Sequence, residues 1–126
     1  MKTEDLKNLN IAIIGAGYAG ASTAKALSLL GATVNVYEQA KEIKEVGAGI
    51  GLRPSSVAQF EKWGILDAVA AVTSPSDRFE ILTATGDPIA VEEWPEKEAY
   101  GQTTRFVHRG DFLDAVHPEV VDAGFG

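Results

Sequence analysis

Hydrophobic and polar positions follow two rhythms along this chain, and the rhythms divide it into elements. Asn10 to Ile14 (N-I-A-I-I) is a short apolar run that ends on a glycine. Its length and isoleucine content predict a buried strand. Beyond Gly15-Ala16-Gly17-Tyr18-Ala19-Gly20, small or apolar residues recur at Ala19, Thr23, Ala26, Leu27 and Leu30. That spacing predicts one face of a helix, and Gly31 stands where such a helix should stop. Thr33 to Tyr37 (T-V-N-V-Y) alternates and is β-branched, which predicts a second strand. The unit is therefore strand, glycine turn, helix, strand. A crossover of this kind is right-handed and makes its two strands parallel neighbours.

After Glu38 the pattern loosens. Lys41 to Gly51 carries Gly47, Gly49 and Gly51 and reads as a loop. Ser55 or Ser56 is placed to cap a helix bearing Val57, Phe60 and Trp63 or Gly64. A second short helix is predicted over Ile65 to Val72, with Ile65, Leu66, Val69 and Val72 on one face. Thr73 to Asp77 reads as a linker. Phe79, Ile81 and Thr83 alternate, as do Ile89 and Val91. Thr85-Gly86-Asp87-Pro88 lies between them as a turn, so a β-hairpin is predicted. Glu92 to Glu98 reads as a solvated acidic loop and Thr104 to His108 as a strand. Gly110-Asp111 opens a last helix with Leu113 and Val116 inward, which Pro118 should end or kink.

Composition narrows the function classes. At 126 residues, 45% hydrophobic and 23% charged, the chain can bury one modest core. Its net charge of −7 repels phosphate backbones, so nucleic acid is not an expected partner. No apolar run reaches the length of a membrane span, and the polar stretch Met1 to Asn10 is no secretory signal. The chain has no cysteine, hence no disulfide or thiolate metal site, and this suits a reducing, cytoplasmic setting. No histidine–carboxylate spacing predicts a metal. His108 reads as a strand-end residue and His117 as exposed. Trp63 and Trp94 read as packing residues, and no nucleophile set appears.

The chemistry sits in Gly15-x-Gly17-x-x-Gly20, between a predicted strand and a predicted helix. The first glycine makes the tight turn, the second lets the backbone approach a pyrophosphate, and the third lets the helix lie close on the strands. The helix N-terminus then favours the ligand's negative charge. Glu38 follows the second strand, 18 residues after Gly20, near the spacing of about 20 expected for a carboxylate that bonds a ribose diol. Such a carboxylate repels a 2′-phosphate, so the expected nucleotide is FAD or NAD rather than NADP. A dehydrogenase domain or a non-catalytic nucleotide-binding module would use the same unit.

Four stretches go further: I-A-I-I-G-A-G-Y-A-G (11–20), V-N-V-Y-E-Q-A (34–40), E-V-G-A-G-I-G-L-R-P-S-S-V (45–57) and V-H-R-G-D-F-L-D-A-V (107–116). Through them the chain resembles the N-terminal part of the single-component FAD-dependent aromatic hydroxylases, the salicylate-hydroxylase-like flavoprotein monooxygenases. A dehydrogenase has no reason to place G-A-G-I about ten residues after its acidic ribose residue. The resemblance implies an α/β fold: a Rossmann-like FAD-binding domain with a parallel sheet and a β-hairpin excursion, incomplete relative to the family. It divides the chain into 1–74 (βαβ unit and following helices), 75–102 (hairpin, first excursion of a substrate domain) and 103–126 (return to the FAD-binding domain).

The implied cofactor residues are Gly15, Gly17, Tyr18, Ala19, Gly20, Glu38, Gln39, Gly47, Ala48, Gly49, Ile50, Arg53 and Arg109. The glycines at 47, 49 and 51 permit positive φ and close backbone approach. Arg109 has the bidentate fork that suits a diphosphate. Arg53 faces either the site or solvent. Phe112 stands in an apolar slot where the family usually has leucine. Family enzymes reduce FAD with NADH or NADPH and use O2 to add one oxygen atom to an activated ring; the other leaves as water. The cofactor carries the hard chemistry, which accounts for the lack of a conventional acid–base set, and no catalytic side chain is assigned.

The expected substrate is a small phenolic or N-heteroaromatic acid. Gly51 stands where some relatives carry a histidine, so their substrates need not carry over. The family's later D-G and G-D fingerprints do not occur here. The expectation is a segment, roughly the first third of such an enzyme, whose missing remainder is a partner. Alone it should bind FAD weakly and hydroxylate nothing.

Overall fold

The structure is a computed structural model that describes residues 6–40, 47–94 and 97–121. The chain forms two compact units. Unit 1 comprises 1–47 and 109–126, and unit 2 comprises 48–108.

In unit 1, β1 (Asn10–Ile14), α1 (Tyr18–Leu29) and β2 (Thr33–Tyr37) form the expected βαβ unit. β1 and β2 are parallel, with Ile11 opposite Val34 and Ile13 opposite Val36. α1 stops as a Schellman motif. The Gly31 N–H donates to the Ser28 carbonyl at 2.9 Å and the Ala32 N–H to the Leu27 carbonyl at 3.1 Å, satisfying carbonyls the helix leaves open. The core holds Leu6, Ala16, Ala21, Ala24, Val34, Val36, Phe112, Leu113 and Val116. The last three come from the second helix of the unit, numbered α5 below in chain order.

Several expectations in this unit change. β1 is not buried on both faces: Ile14 is 82% exposed, because α1 covers only the face carrying Ile11, Ile13, Val34 and Val36. The buried stripe of α1 is Ala21 and Ala24, while Ala19, Thr23 and Leu30 are exposed. Small side chains let the helix lie close on the strands, and they give a weaker periodic signal than leucines do. Of the two outcomes expected at Pro118, an end or a kink, the end does not occur: the final helix runs Arg109–Val121 through it. Asp114 and Pro118 are both exposed, so the carbonyl four residues before the proline loses its partner where water can replace it. His117 is half-buried rather than exposed, with Nε2 inside the fold. The chain's last five residues and Met1 to Asp5 lie outside the described residues.

Unit 2 holds β3 (Gly49–Leu52), α2 (Pro54–Lys62), α3 (Leu66–Val72), β4 (Ser74–Ser76), β5 (Arg78–Leu82), β6 (Pro88–Glu93), α4 (Lys97–Tyr100) and β7 (Thr104–His108); α5 is Arg109–Val121 of unit 1. β7 is the centre of an antiparallel sheet in the order β3-β7-β4. Its core gathers Leu52, Pro54, Val57, Phe60, Ile65, Val69, Thr104 and Val107. The hairpin is present: β5 pairs antiparallel with β6, with an irregularity at Ile81/Leu82. Its turn is fixed by the Gly86 N–H on the Thr83 carbonyl at 3.0 Å and by Thr85 Oγ1 on Asp87 Oδ2 at 2.7 Å.

Other readings in this unit change. Residues 49–51 form a strand rather than a loop, and residues 74–76 a strand rather than a linker, because both pair with β7. α2 is opened by Pro54 at its first position, with Arg53 as N-cap, not by Ser55 or Ser56; proline's fixed φ suits that position. Val72 is exposed, although Ile65 and Val69 are buried as expected. Glu92 and Glu93 lie in β6 and residues 97–100 are helical, so the acidic loop is largely structured; Glu96 lies outside the described residues.

Thr104 is 2% exposed and its hydroxyl has no hydrogen-bond partner among the described residues. An unsatisfied buried hydroxyl costs more than its methyl isostere. Thr104→Val is therefore expected to raise stability by about 1 kcal/mol, read as a higher urea midpoint with an unchanged slope.

Candidate functional site

The site residues of unit 1 begin where β1 ends. Gly15 has φ +97°, a conformation a side chain rarely adopts. Its N–H donates to the Tyr37 carbonyl at 2.7 Å, which ties the turn to the end of β2. Gly20 meets the turn from inside α1: a Cβ there would lie 1.9 Å from the Gly15 carbonyl oxygen. Gly17 is different. Its φ of −70° suits any residue, and a Cβ placed on it meets nothing within 4 Å among the described residues. The described residues therefore give no reason for a glycine at 17. Gly17 is also the N-cap of α1, with no side-chain cap bond. The helix's first amides have no partner within the helix.

Glu38 closes on this turn. Its Oε2 accepts the Ala16 N–H at 2.8 Å and its Oε1 accepts the Ala40 N–H at 2.9 Å. The Ala16 bond is the main cause of a pKa held below the ordinary 4.5, and the Ala40 bond adds to it. The side chain stays exposed. Each carboxylate oxygen can accept more than one hydrogen bond, so a ribose diol can be held as well. Ala19 and Gln39 are exposed beside these groups.

Arg109, the first residue of α5, meets Tyr18, the first residue of α1. Arg109 Nε donates to Tyr18 Oη at 3.1 Å, and Tyr18 Oη donates to the Arg109 carbonyl at 2.9 Å. The guanidinium carbon lies 5.0 Å from the Tyr18 ring centroid, within cation–π range. Gly47 flanks the same arginine: a Cβ there would come within 3.0 Å of Arg109 Cβ. Phe112 is buried, its ring centroid 5.4 Å from that of Tyr18. Sequence reasoning named Tyr18 and Arg109 separately and missed that they pair. They are 91 residues apart, and no local pattern carries such a contact.

In unit 2, Gly49 and Ile50 lie in β3, opposite His108 and Val107, and Ala48 immediately precedes the strand. None of Gly47, Gly49 and Gly51 has positive φ, so that part of the expectation is corrected. Gly51 instead makes room for the Phe106 ring, 3.1 Å from where its Cβ would be. Arg53 lies 5.4 Å from the Trp94 ring centroid. Trp94 in turn stacks with Phe79 at 6.3 Å, a packing role as expected.

The family model described as an FAD binding domain matches residues 8–109. The chain is 40% identical over 106 residues to 6-hydroxynicotinate 3-monooxygenase of Pseudomonas fluorescens, covering 81% of this chain and 27% of that protein. It is 34% identical over 108 residues to 3-amino-4-hydroxybenzoate 2-monooxygenase of Streptomyces cremeus, covering 83% and 27%. Among solved structures it resembles Klebsiella pneumoniae HpxO complexed with FAD and uric acid, with a TM-score of 0.76 and 27% identity, covering 96% of this chain and 31% of that one. The chain thus spans about a quarter of the length of the curated relatives it matches.

Proposed function

Since the chain belongs to the FAD binding domain family, we propose that its glycine turn and Glu38 hold the diphosphate and adenosine ribose of FAD. The observation that carries this reading is the open ground at Gly17. A glycine stands there with ordinary φ and, among the described residues, no neighbour within 4 Å, as expected where a diphosphate must approach the backbone. Glu38 supports it by laying a carboxylate on the same turn. Arg109 supplies the cation for the diphosphate, and Gln39 and Gly47 of the same unit belong to the cofactor's wider surroundings.

The segment serves a flavin-dependent monooxygenase acting on a small hydroxylated aromatic or N-heteroaromatic acid, with NADH or NADPH as reductant and O2 as co-substrate, in a cytoplasmic setting. The two curated relatives, named for 6-hydroxynicotinate and 3-amino-4-hydroxybenzoate, support that substrate class. FAD, when bound, supplies the redox chemistry; this chain's residues bind and orient it. Among the described residues, no helix is long and apolar enough to cross a membrane.

The test is a flavin-fluorescence titration of the purified chain with FAD, run beside NAD. Saturable quenching by FAD with no competition from NAD is expected. Binding of NAD in preference to FAD contradicts the reading, and so does binding of neither.

A further inference from the structure

We propose that Tyr18 is the positioning residue for Arg109, and that through it the tip of the glycine turn sets the direction in which the guanidinium meets the FAD diphosphate. The inference rests on the reading above and adds to it a role for the fingerprint's variable position.

A planar guanidinium on a flexible stem must lose rotamer freedom before it can hold an anion. Here three contacts remove that freedom. Tyr18 Oη takes the Nε–H at 3.1 Å, and Nε is the one donor on the stem side of the plane. The Tyr18 ring lies 5.0 Å from the guanidinium carbon. Gly47 backs the stem, with its would-be Cβ 3.0–3.7 Å from Arg109 Cβ, Cδ and Cγ. Fixing the Nε–H direction and one ring face fixes the plane, and hence where both terminal nitrogens point.

The hydroxyl has a second task. It donates to the Arg109 carbonyl at 2.9 Å, so one oxygen holds both the backbone and the side chain of the same residue. Tyr18 is itself held, half-buried and packed against Phe112. Because Tyr18 directly follows Gly17 and opens α1, the arginine is indexed to the turn that the diphosphate approaches. A leucine or isoleucine at 18 would keep the apolar contact with Phe112 and lose both hydrogen bonds.

The experiment is a double-mutant cycle on FAD affinity, read by flavin fluorescence, with thermal melts of every variant. Tyr18→Phe keeps the ring and removes the hydroxyl. It is expected to weaken FAD binding roughly fivefold, the scale of one net hydrogen bond. Arg109→Ala is expected to weaken it more. In the Arg109→Ala background, Tyr18→Phe should have no further effect, because its influence passes through the arginine. Arg109→Lys, which keeps the charge without the planar fork, should also show little response to Tyr18→Phe. Equal weakening by Tyr18→Phe with and without Arg109 overturns the inference and shows a merely structural tyrosine. An unchanged affinity for Tyr18→Phe, or for Arg109→Ala, overturns it too. If the wild-type chain binds no FAD, the FAD reading itself falls and the inference falls with it. If a variant melts below the assay temperature, the cycle is read from Tyr18→Phe and Arg109→Lys alone.

Discussion

Gly20→Ala should unfold the glycine turn. The added methyl would sit 1.9 Å from the Gly15 carbonyl oxygen and 3.0 Å from its carbon, and both are backbone atoms. Gly15 cannot retreat easily, because its N–H is bonded to the Tyr37 carbonyl and its φ is +97°. α1 must therefore lift away from β1. Overpacking of this kind costs about 1–3 kcal/mol or more, and a backbone clash belongs at the upper end. A large drop in the urea midpoint and loss of measurable FAD binding are expected together. Gly17→Ser is the matched contrast. Serine is a good N-cap and meets open space among the described residues, so stability should hold. FAD affinity should still fall roughly tenfold or more, since a clash of about 1–3 kcal/mol has that effect on binding. If both variants lose stability alike, Gly17 is a structural glycine and the diphosphate reading loses its main support.

Glu38→Gln should weaken FAD binding by roughly tenfold or more, because a charge-assisted acceptor is replaced by a neutral one. The amide can accept through only one of its two ends, while the carboxylate accepts the Ala16 N–H on one oxygen and the Ala40 N–H on the other. The same bonds set the pH dependence. They hold the folded-state pKa below 4.5, so the unfolded chain takes up the proton first as acid is added. The stabilisation from Glu38 is fully present above its unfolded pKa and is lost as pH falls through the lowered folded value. Stability and FAD affinity should therefore be insensitive to this group at neutral pH and decline in acid below 4.5. In Glu38→Gln that component of the acid limb should vanish. An identical acid limb in both proteins would show that the carboxylate does not hold the turn.

The βαβ unit was legible because its signals are local. A five-residue isoleucine-rich run, a glycine turn, a C-terminal Gly31 and an alternating T-V-N-V-Y each act within a few residues. The hairpin was legible for the same reason, through Gly86 and the alternation on either side. What escaped the sequence depends on partners far along the chain. Ser74-Pro75-Ser76 has a linker's composition and becomes β4 only because β7 lies beside it. Gly49 to Leu52 is glycine-rich and becomes β3 for the same reason. The glycine turn and the place of Glu38 beside it were readable from spacing, whereas the contact between Tyr18 and Arg109 was not. The glycines at 47 and 51 were read as room for a cofactor, whereas the groups found against them are the Arg109 side chain in one case and the Phe106 ring in the other.

Amide chemical shifts of the isotope-labelled chain, followed by NMR as FAD is added, put the account to its hardest trial. The largest changes should fall on the backbone amides of Ala16 to Gly20 and on Glu38, and NAD at the same concentration should leave them nearly unmoved. Shifts confined to unit 2, with those amides silent, would mean that the glycine turn holds no part of the flavin nucleotide.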